Sequence, residues 1–337
     1  MEADREELRD EILGEAISLP AHNRKMFVER ICSGDPDLLS EVIRFIDIHE
    51  QMASGFLESP PLVSEAQEPL ASGETFDRYR IESVIGRGAM SVIYRAIDTT
   101  GDRPVALKLV NRTLLDDVDV RVRIPREMMN LRKLSHENIV RIFDSGDYKG
   151  QPFLVMELLT GEDLGQAIMA DRCGSLATKL EIARQIAAAL AHVHGAGILH
   201  RDIKPANVFL EQSGRAKLMD FGVSRCLEPG VTHASTFAGT LHYMAPEQIS
   251  GGRATRATDI YGYGVLLYQM FTRRKGATPA SFAALWDDEP ATSVSQEALH
   301  KAGLPTAIIQ LIEQSTSRDP ALRPASFTTI QQALAAA

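Results

Sequence analysis

Apolar positions recur along the chain with changing periods, and those changes divide it. Leu8, Ile12 and Ala16, with Leu13 and Ile17, fall at helical spacing, and Pro20 closes that run. A second helical piece is expected from Ala21 to Ile31, with Phe27 and Ile31 on one side. A third begins at Asp35-Pro36, where Asp35 suits the cap and Pro36 the first helical position. Its apolar stripe is Leu38, Leu39, Val42, Ile43 and Ile46. Residues 52–75 lose all periodicity and gather Pro, Ser and Gly, which reads as a linker.

Structure is expected to resume at Tyr79, where short apolar runs predict strands. One precedes and one follows the glycines at 86 and 88, and others cover residues 105–108, 136–140 and 153–158. Residues 118–124 alternate strictly, as a half-buried strand does. Pro125 would break a helix already under way but is harmless as its first residue, so a short helix carrying Glu127 is expected there. From Ser175 the period turns helical, with Ile182, Ile186, Ala189, Leu190 and Val193 on one face. A second long apolar helix is expected from Thr258 through Leu266 to Met270.

Composition adds exclusions. The 337 residues are 44% apolar and 24% charged, as in an ordinary soluble protein. No run of about 18 apolar residues occurs, so no membrane span is expected. The acidic start Met1-Glu2-Ala3-Asp4 argues against a signal peptide. Cys32, Cys173 and Cys226 lack metal-type spacing, so reduced thiols and a cytoplasmic location are expected. The net charge of −9 is uneven: residues 1–75 carry 17 acids against 6 bases, and the remainder 28 against 30. That near-neutral remainder offers nucleic acid no electrostatic footing.

The chemistry concentrates in His200-Arg201-Asp202-Ile203-Lys204-Pro205-Ala206-Asn207. Asp202 can accept the proton of an attacking hydroxyl, and Lys204 can reach a γ-phosphate. Asn207 offers an amide oxygen to a magnesium ion, and Arg201 a guanidinium to a nearby phosphate. Gly86-Arg87-Gly88-Ala89-Met90-Ser91-Val92 sits between two strands, where glycines let backbone N–H groups approach phosphate oxygens. A Rossmann fingerprint would open a helix instead. Lys108 ends a strand, Glu127 is its candidate carboxylate, and Asp220-Phe221-Gly222 follows the apolar run at 216–219.

Lys108 stands 19 residues before Glu127, Asp202 stands 5 before Asn207, and Asp220 follows Asp202 by 18. In that order and spacing the set resembles the bacterial Ser/Thr protein kinases of the eukaryotic-like (Hanks) type, from about Tyr79 to about Leu334. A serine at 91 in place of the third loop glycine is a small departure.

The resemblance implies an α+β, two-lobed kinase fold: an antiparallel sheet plus one helix in the small lobe (76–158), and a mainly helical large lobe (159–337). A small all-α extension (1–51) and a linker (52–75) precede it. The implied cofactors are ATP and Mg²⁺, with Mn²⁺ as an alternative metal. Lys108 would meet the α- and β-phosphates while paired with Glu127, and Asn207 and Asp220 would hold metal. Residues 86–92, Ala106, Met156, Glu157, Leu159 and Phe209 would enclose the nucleotide, with Glu162 or Asp163 at the ribose. Glu247 would pair with Arg323, and Asp259 would brace the catalytic loop. Thr236, Thr232 and Ser235 would be regulatory phosphosites facing Arg201.

Lys204 favours Ser/Thr over Tyr substrates, and the implied partners are protein substrates. Residues 272–300 depart from the family pattern, so substrate docking there is not inferred. A catalytically silent scaffold and a small-molecule phosphotransferase are the rival readings. The extension either docks on the small lobe through its apolar stripe, packs only on itself, or binds a separate partner. Oligomeric state is not legible.

Overall fold

The computed structural model describes residues 12, 21–32, 35, 38–39, 42–43, 69–88, 91–112, 115, 124–125, 128–221, 241–249, 252–274 and 294–336. Contacts divide the chain into two compact units, one built on the N-terminal 65 residues and one holding the described residues from Pro69 onward.

In the first unit, α1 (Ala21–Ile31) lies where the pattern places it. The Asp35 carboxylate accepts the Leu38 N–H at 3.0 Å, the expected capping bond. Leu38 and Val42 do not face outward. They are buried against Ile12, Val28 and Cys32, with Leu39 and Ile43 packed at the edge. Helices this short gain stability chiefly by burying a stripe against neighbours, and Leu38 and Val42 do so within this unit. Ile31 is 47% exposed, because the buried face of α1 centres on Val28 and leaves Ile31 at its margin. Ile46 and the positions of the first run other than Ile12 lie outside the described residues.

The second unit opens with a six-stranded antiparallel sheet ordered β1-β2-β3-β4-β6-β5. Its strands are β1 (Thr75–Phe76), β2 (Tyr79–Arg87), β3 (Ser91–Asp98), β4 (Arg103–Val110), β5 (Ile142–Tyr148) and β6 (Gln151–Glu157). Alternation along β4 assigns its two faces. Val105, Leu107 and Leu109 join Tyr79, Tyr94 and Phe153 on one side. Ala106 and Val110 join Met128, Leu154 and Met156 on the other. Lys108 shares the parity of Ala106, so the register of one strand aims it at the second face.

Three expectations shift here. Contact with the sheet begins before Tyr79: the Leu70 N–H donates to the Tyr94 hydroxyl at 3.1 Å, and Gly73 N–H to the Ile81 carbonyl at 2.8 Å. Residues 136–140 are not a sheet strand; the Val140 N–H donates to the Leu218 carbonyl, and the Leu218 N–H to the Asn138 carbonyl. Their backbone groups are therefore taken by another strand, and sheet pairing starts at Ile142. Ile124, read as the end of a strand, is helical and buried, as are Met128 and Leu131. Residues 118–123 lie outside the described residues.

The rest of the unit has a small sheet of β7 (Gly161–Asp163), β8 (Val208–Glu211) and β9 (Ala216–Leu218). Gly161 has φ 153°, and a Cβ there would meet the Leu210 carbonyl oxygen at 2.0 Å, so the β7–β8 approach requires glycine. Around it stand α2 (Leu164–Met169), α3 (Leu176–Gly195), α4 (Pro246–Ile249), α5 (Arg256–Thr272), α6 (Gln296–Lys301), α7 (Thr306–Ser315) and α8 (Phe327–Ala335). Ser175 caps α3 by accepting the Thr178 N–H. Every residue of α5 from Thr258 to Phe271 is buried, so it is the central helix against which the others pack. Among the described residues no helix is long and apolar enough to cross a membrane.

Candidate active site

The catalytic-loop residues lie between α3 and β8, and α5 holds them from below. Asp259 Oδ2 accepts the His200 N–H at 2.8 Å, and Asp259 Oδ1 accepts the Arg201 N–H at 2.7 Å. His194 Nε2 lies 2.8 Å from the same carboxylate. Arg201 has φ 67°, a conformation that costs a non-glycine residue roughly 1–3 kcal/mol and persists only when its surroundings over-determine it. The paired bonds from Asp259 supply that constraint.

His200 is fully buried, and burial pushes its pKa down, so it is neutral. Its Nδ1 accepts the Asp202 N–H at 3.3 Å, which leaves Nε2 to carry the proton and donate to the Met219 carbonyl at 2.9 Å. The Met219 N–H in turn donates to the Asn207 carbonyl at 2.8 Å. Catalytic loop and β9 exit are thus joined at Met219, directly before Asp220.

Asn207 Nδ2 donates to the Asp202 carbonyl at 2.7 Å and to Asp202 Oδ2 at 2.8 Å. With the amide nitrogen so committed, the Asn207 amide oxygen is the group left to face a cation. Lys204 Nζ lies 2.9 Å from Asp202 Oδ2. One carboxylate therefore gathers the loop's lysine and asparagine.

Lys108 Nζ lies 2.6 Å from Asp220 Oδ1. The pairing expected for Lys108 was with Glu127, which lies outside the described residues; the partner seen here is Asp220. Burial alone would raise the Asp220 carboxyl, but Lys108, with a smaller contribution from Lys204, holds it below the usual carboxylate range. It is therefore an ionised oxygen donor. A magnesium ion is commonly held by one or two protein oxygens plus substrate phosphates, and Asp220 with Asn207 fit that pattern. Among the described residues no cluster of three or more His, Cys, Asp or Glu offers a metal cage.

Ala106, Met156 and Leu159 belong to one apolar cluster that also takes in Ile93 and Met219, so the expected adenine wall reaches the residue before Asp220. Phe209 pairs across β8–β9 with Lys217 and across β7–β8 with Asp163. Asp163 caps α2 by accepting the Gln166 N–H, and Glu162 is ion-paired with Arg172. In the glycine turn, Gly86 and Arg87 end β2 and pair with Ile93 and Val92, while the Gly88 N–H donates to the Ser91 carbonyl at 2.9 Å. Ala89, Met90, Thr232, Ser235 and Thr236 lie outside the described residues.

Glu157 puts its side chain to a use that its expected backbone role does not include. Its backbone N–H donates to the Arg141 carbonyl at 2.9 Å, so of its backbone groups the carbonyl is the one an adenine edge could meet. Its side chain accepts the Arg141 N–H at 2.7 Å and pairs with Lys217 Nζ at 2.6 Å. The one local mark of Lys217 is its place in an apolar strand run, where a buried lysine needs a partner that the sequence does not name. Glu247 and Arg323 form the expected pair, bidentate at 2.7 and 2.8 Å, and Arg323 also donates to the Ala257 and Ser317 carbonyls.

Residues 79–336 match the family model of the protein kinase domain. The chain is 40% identical over 198 residues to the probable serine/threonine-protein kinase PknB of Lactococcus lactis, covering 58% of this chain and 32% of that one. To the serine/threonine-protein kinase PrkC of Bacillus subtilis it is 35% identical over 255 residues, covering 72% and 38%. Among solved structures, Rad53 1–466 in complex with AMP-PNP aligns with a TM-score of 0.63 at 28% identity, covering 76% of this chain and 64% of that one. The chain thus spans about a third of the length of these two named relatives. With most of its residues inside the matched domain, the chain belongs to the protein kinase family, and it is similar to the bacterial serine/threonine kinases within it.

Proposed function

We propose that the chain transfers the γ-phosphoryl group of ATP to serine or threonine hydroxyls of proteins, its own included. The observation that carries this is the assembly about Met219: Asp202 with Lys204 and Asn207 on one side, and the Lys108–Asp220 pair on the other. The relatives named as serine/threonine kinases and the AMP-PNP bound by Rad53 support it.

Transfer of a phosphoryl group asks little covalent chemistry of the protein, so positioning and charge carry the catalysis. Ala106, Met156, Leu159 and Phe209 flank the adenine, and residues 86–92 cover the phosphates. Lys108 leaves Asp220 to meet the α- and β-phosphates, with Glu127 as its second partner. Asp202 orients the hydroxyl and takes its proton, and Lys204 neutralises the γ-phosphate. Magnesium held by Asp220 and Asn207 would offset charge developing on the phosphate oxygens. Arg201 would receive a phosphate placed on Thr236, with Thr232 and Ser235 as further acceptors.

The test is incubation of the purified chain with Mg-ATP and a protein substrate, followed by phosphosite mapping, beside Asp202→Asn. Phosphoserine or phosphothreonine in the wild type and none in the variant is the expected outcome. Equal incorporation in both would remove Asp202 from the reaction.

A further inference from the structure

Lys217 takes no part in the chemistry above, yet it is buried and spent on the hinge, the end of β6 at Glu157 where the small lobe passes into the large one. Its side chain is 9% exposed, three residues before Asp220, and its Nζ lies 2.6 Å from Glu157 Oε1. That oxygen also accepts the Arg141 N–H, so Glu157 closes the start of β5 and the end of β6 while gripping β9. The neighbours of Lys217 are tied as well. The Ala216 N–H donates to Gln185 Oε1 at 2.7 Å, and its carbonyl accepts from Asn138 Nδ2 at 2.9 Å. β9 is therefore anchored to α3, to the 136–140 segment and to the hinge, one residue after another.

Stability does not explain the pair. Taking an ammonium and a carboxylate out of water costs several kcal/mol, and an apolar pair of similar volume is often as stable. What the ion pair does supply is a fixed distance between hinge and β9. The backbone between Lys217 and Asp220 has little freedom to absorb a displacement, since Met219 is bonded through both its N–H and its carbonyl. We infer that Lys217 is a positioning residue: through Glu157 it registers Asp220 against the hinge, so that nucleotide at the hinge and metal at Asp220 strengthen each other. The inference rests on the kinase reading.

Calorimetric titration of the full chain with a non-hydrolysable ATP analogue, with and without Mg²⁺, tests it. The quantity read is the factor by which Mg²⁺ tightens nucleotide binding, a coupling that does not depend on how much of the sample is folded. In Lys217→Met that factor should fall at least about five-fold, while affinity without Mg²⁺ stays within about two-fold of wild type. Lys217→Arg should keep most of the coupling. Glu157→Gln should lose it, and the double variant should lose no more than either single one. A Lys217→Met coupling within about two-fold of wild type, or additive losses in the double variant, overturns the positioning role. A wild type whose nucleotide binding ignores Mg²⁺ overturns the kinase reading itself.

Discussion

Lys108 Nζ lies 2.6 Å from Asp220 Oδ1, so the cation assigned to the phosphates and the carboxylate assigned to the metal are each other's counter-ion. In the proposed reaction this contact would give way to two others: Lys108 to phosphate, and Asp220 to metal. Lys108→Met and Asp220→Asn should each lower kcat by 10²-fold or more, about 2.7 kcal/mol of transition-state stabilisation, with the fold retained. Steady-state kinetics beside circular dichroism checks both. Wild-type kcat in either variant would remove that residue from the machinery.

Asp259 accepts from His200, Arg201 and His194 while almost wholly buried. Asp259→Ala leaves those donors without a partner, at about 1–3 kcal/mol for each buried group. Denaturant unfolding should show a loss of roughly 3 kcal/mol or more, accompanied by collapse of kcat. Unchanged stability would mean that the loop conformation at Arg201 is held by something else.

Glu247 provides the pH test. Burial opposes its ionisation, but hydrogen bonds from Arg323 hold its carboxyl below the ordinary 4.5. A carboxyl depressed in the folded state contributes stability that is fully present above the unfolded value and lost as pH falls through the folded one. Unfolding free energy should therefore drop more steeply in wild type than in Glu247→Gln as pH falls below the ordinary 4.5. Parallel curves would deny the pair a role in acid stability. Arg323→Met, which strands the carboxylate, should cost about 3–5 kcal/mol at neutral pH.

Regulation through Thr236 remains a proposal from the sequence. A phosphate there would bring about −2 charge and three acceptors to the Arg201 guanidinium. Thr236→Ala should lower activity several-fold, and Arg201→Gln should remove any difference between phosphorylated and unphosphorylated protein. Full activity of unphosphorylated Thr236→Ala excludes the switch.

The sequence by itself determined what depends on near neighbours. The helical faces of α3 and α5, the Asp35 cap and the strands flanking Gly86 are local: each follows from spacing within a few turns and from burial of one side. The motif set was legible for a related reason, since its residue types and intervals leave few other chemistries open. Tertiary structure decided the partners. Lys108 meets a carboxylate 112 residues away, and Lys217 one that is 60 away, and no local period records such a choice. It also decided which hydrogen bonds residues 136–140 make, because an apolar run can pair with any strand brought beside it. Likewise the stripe at Leu38 and Val42 marks a surface to be covered, while the helices of its own unit determine what covers it. Amphipathicity specifies that a face is buried; only packing specifies against what.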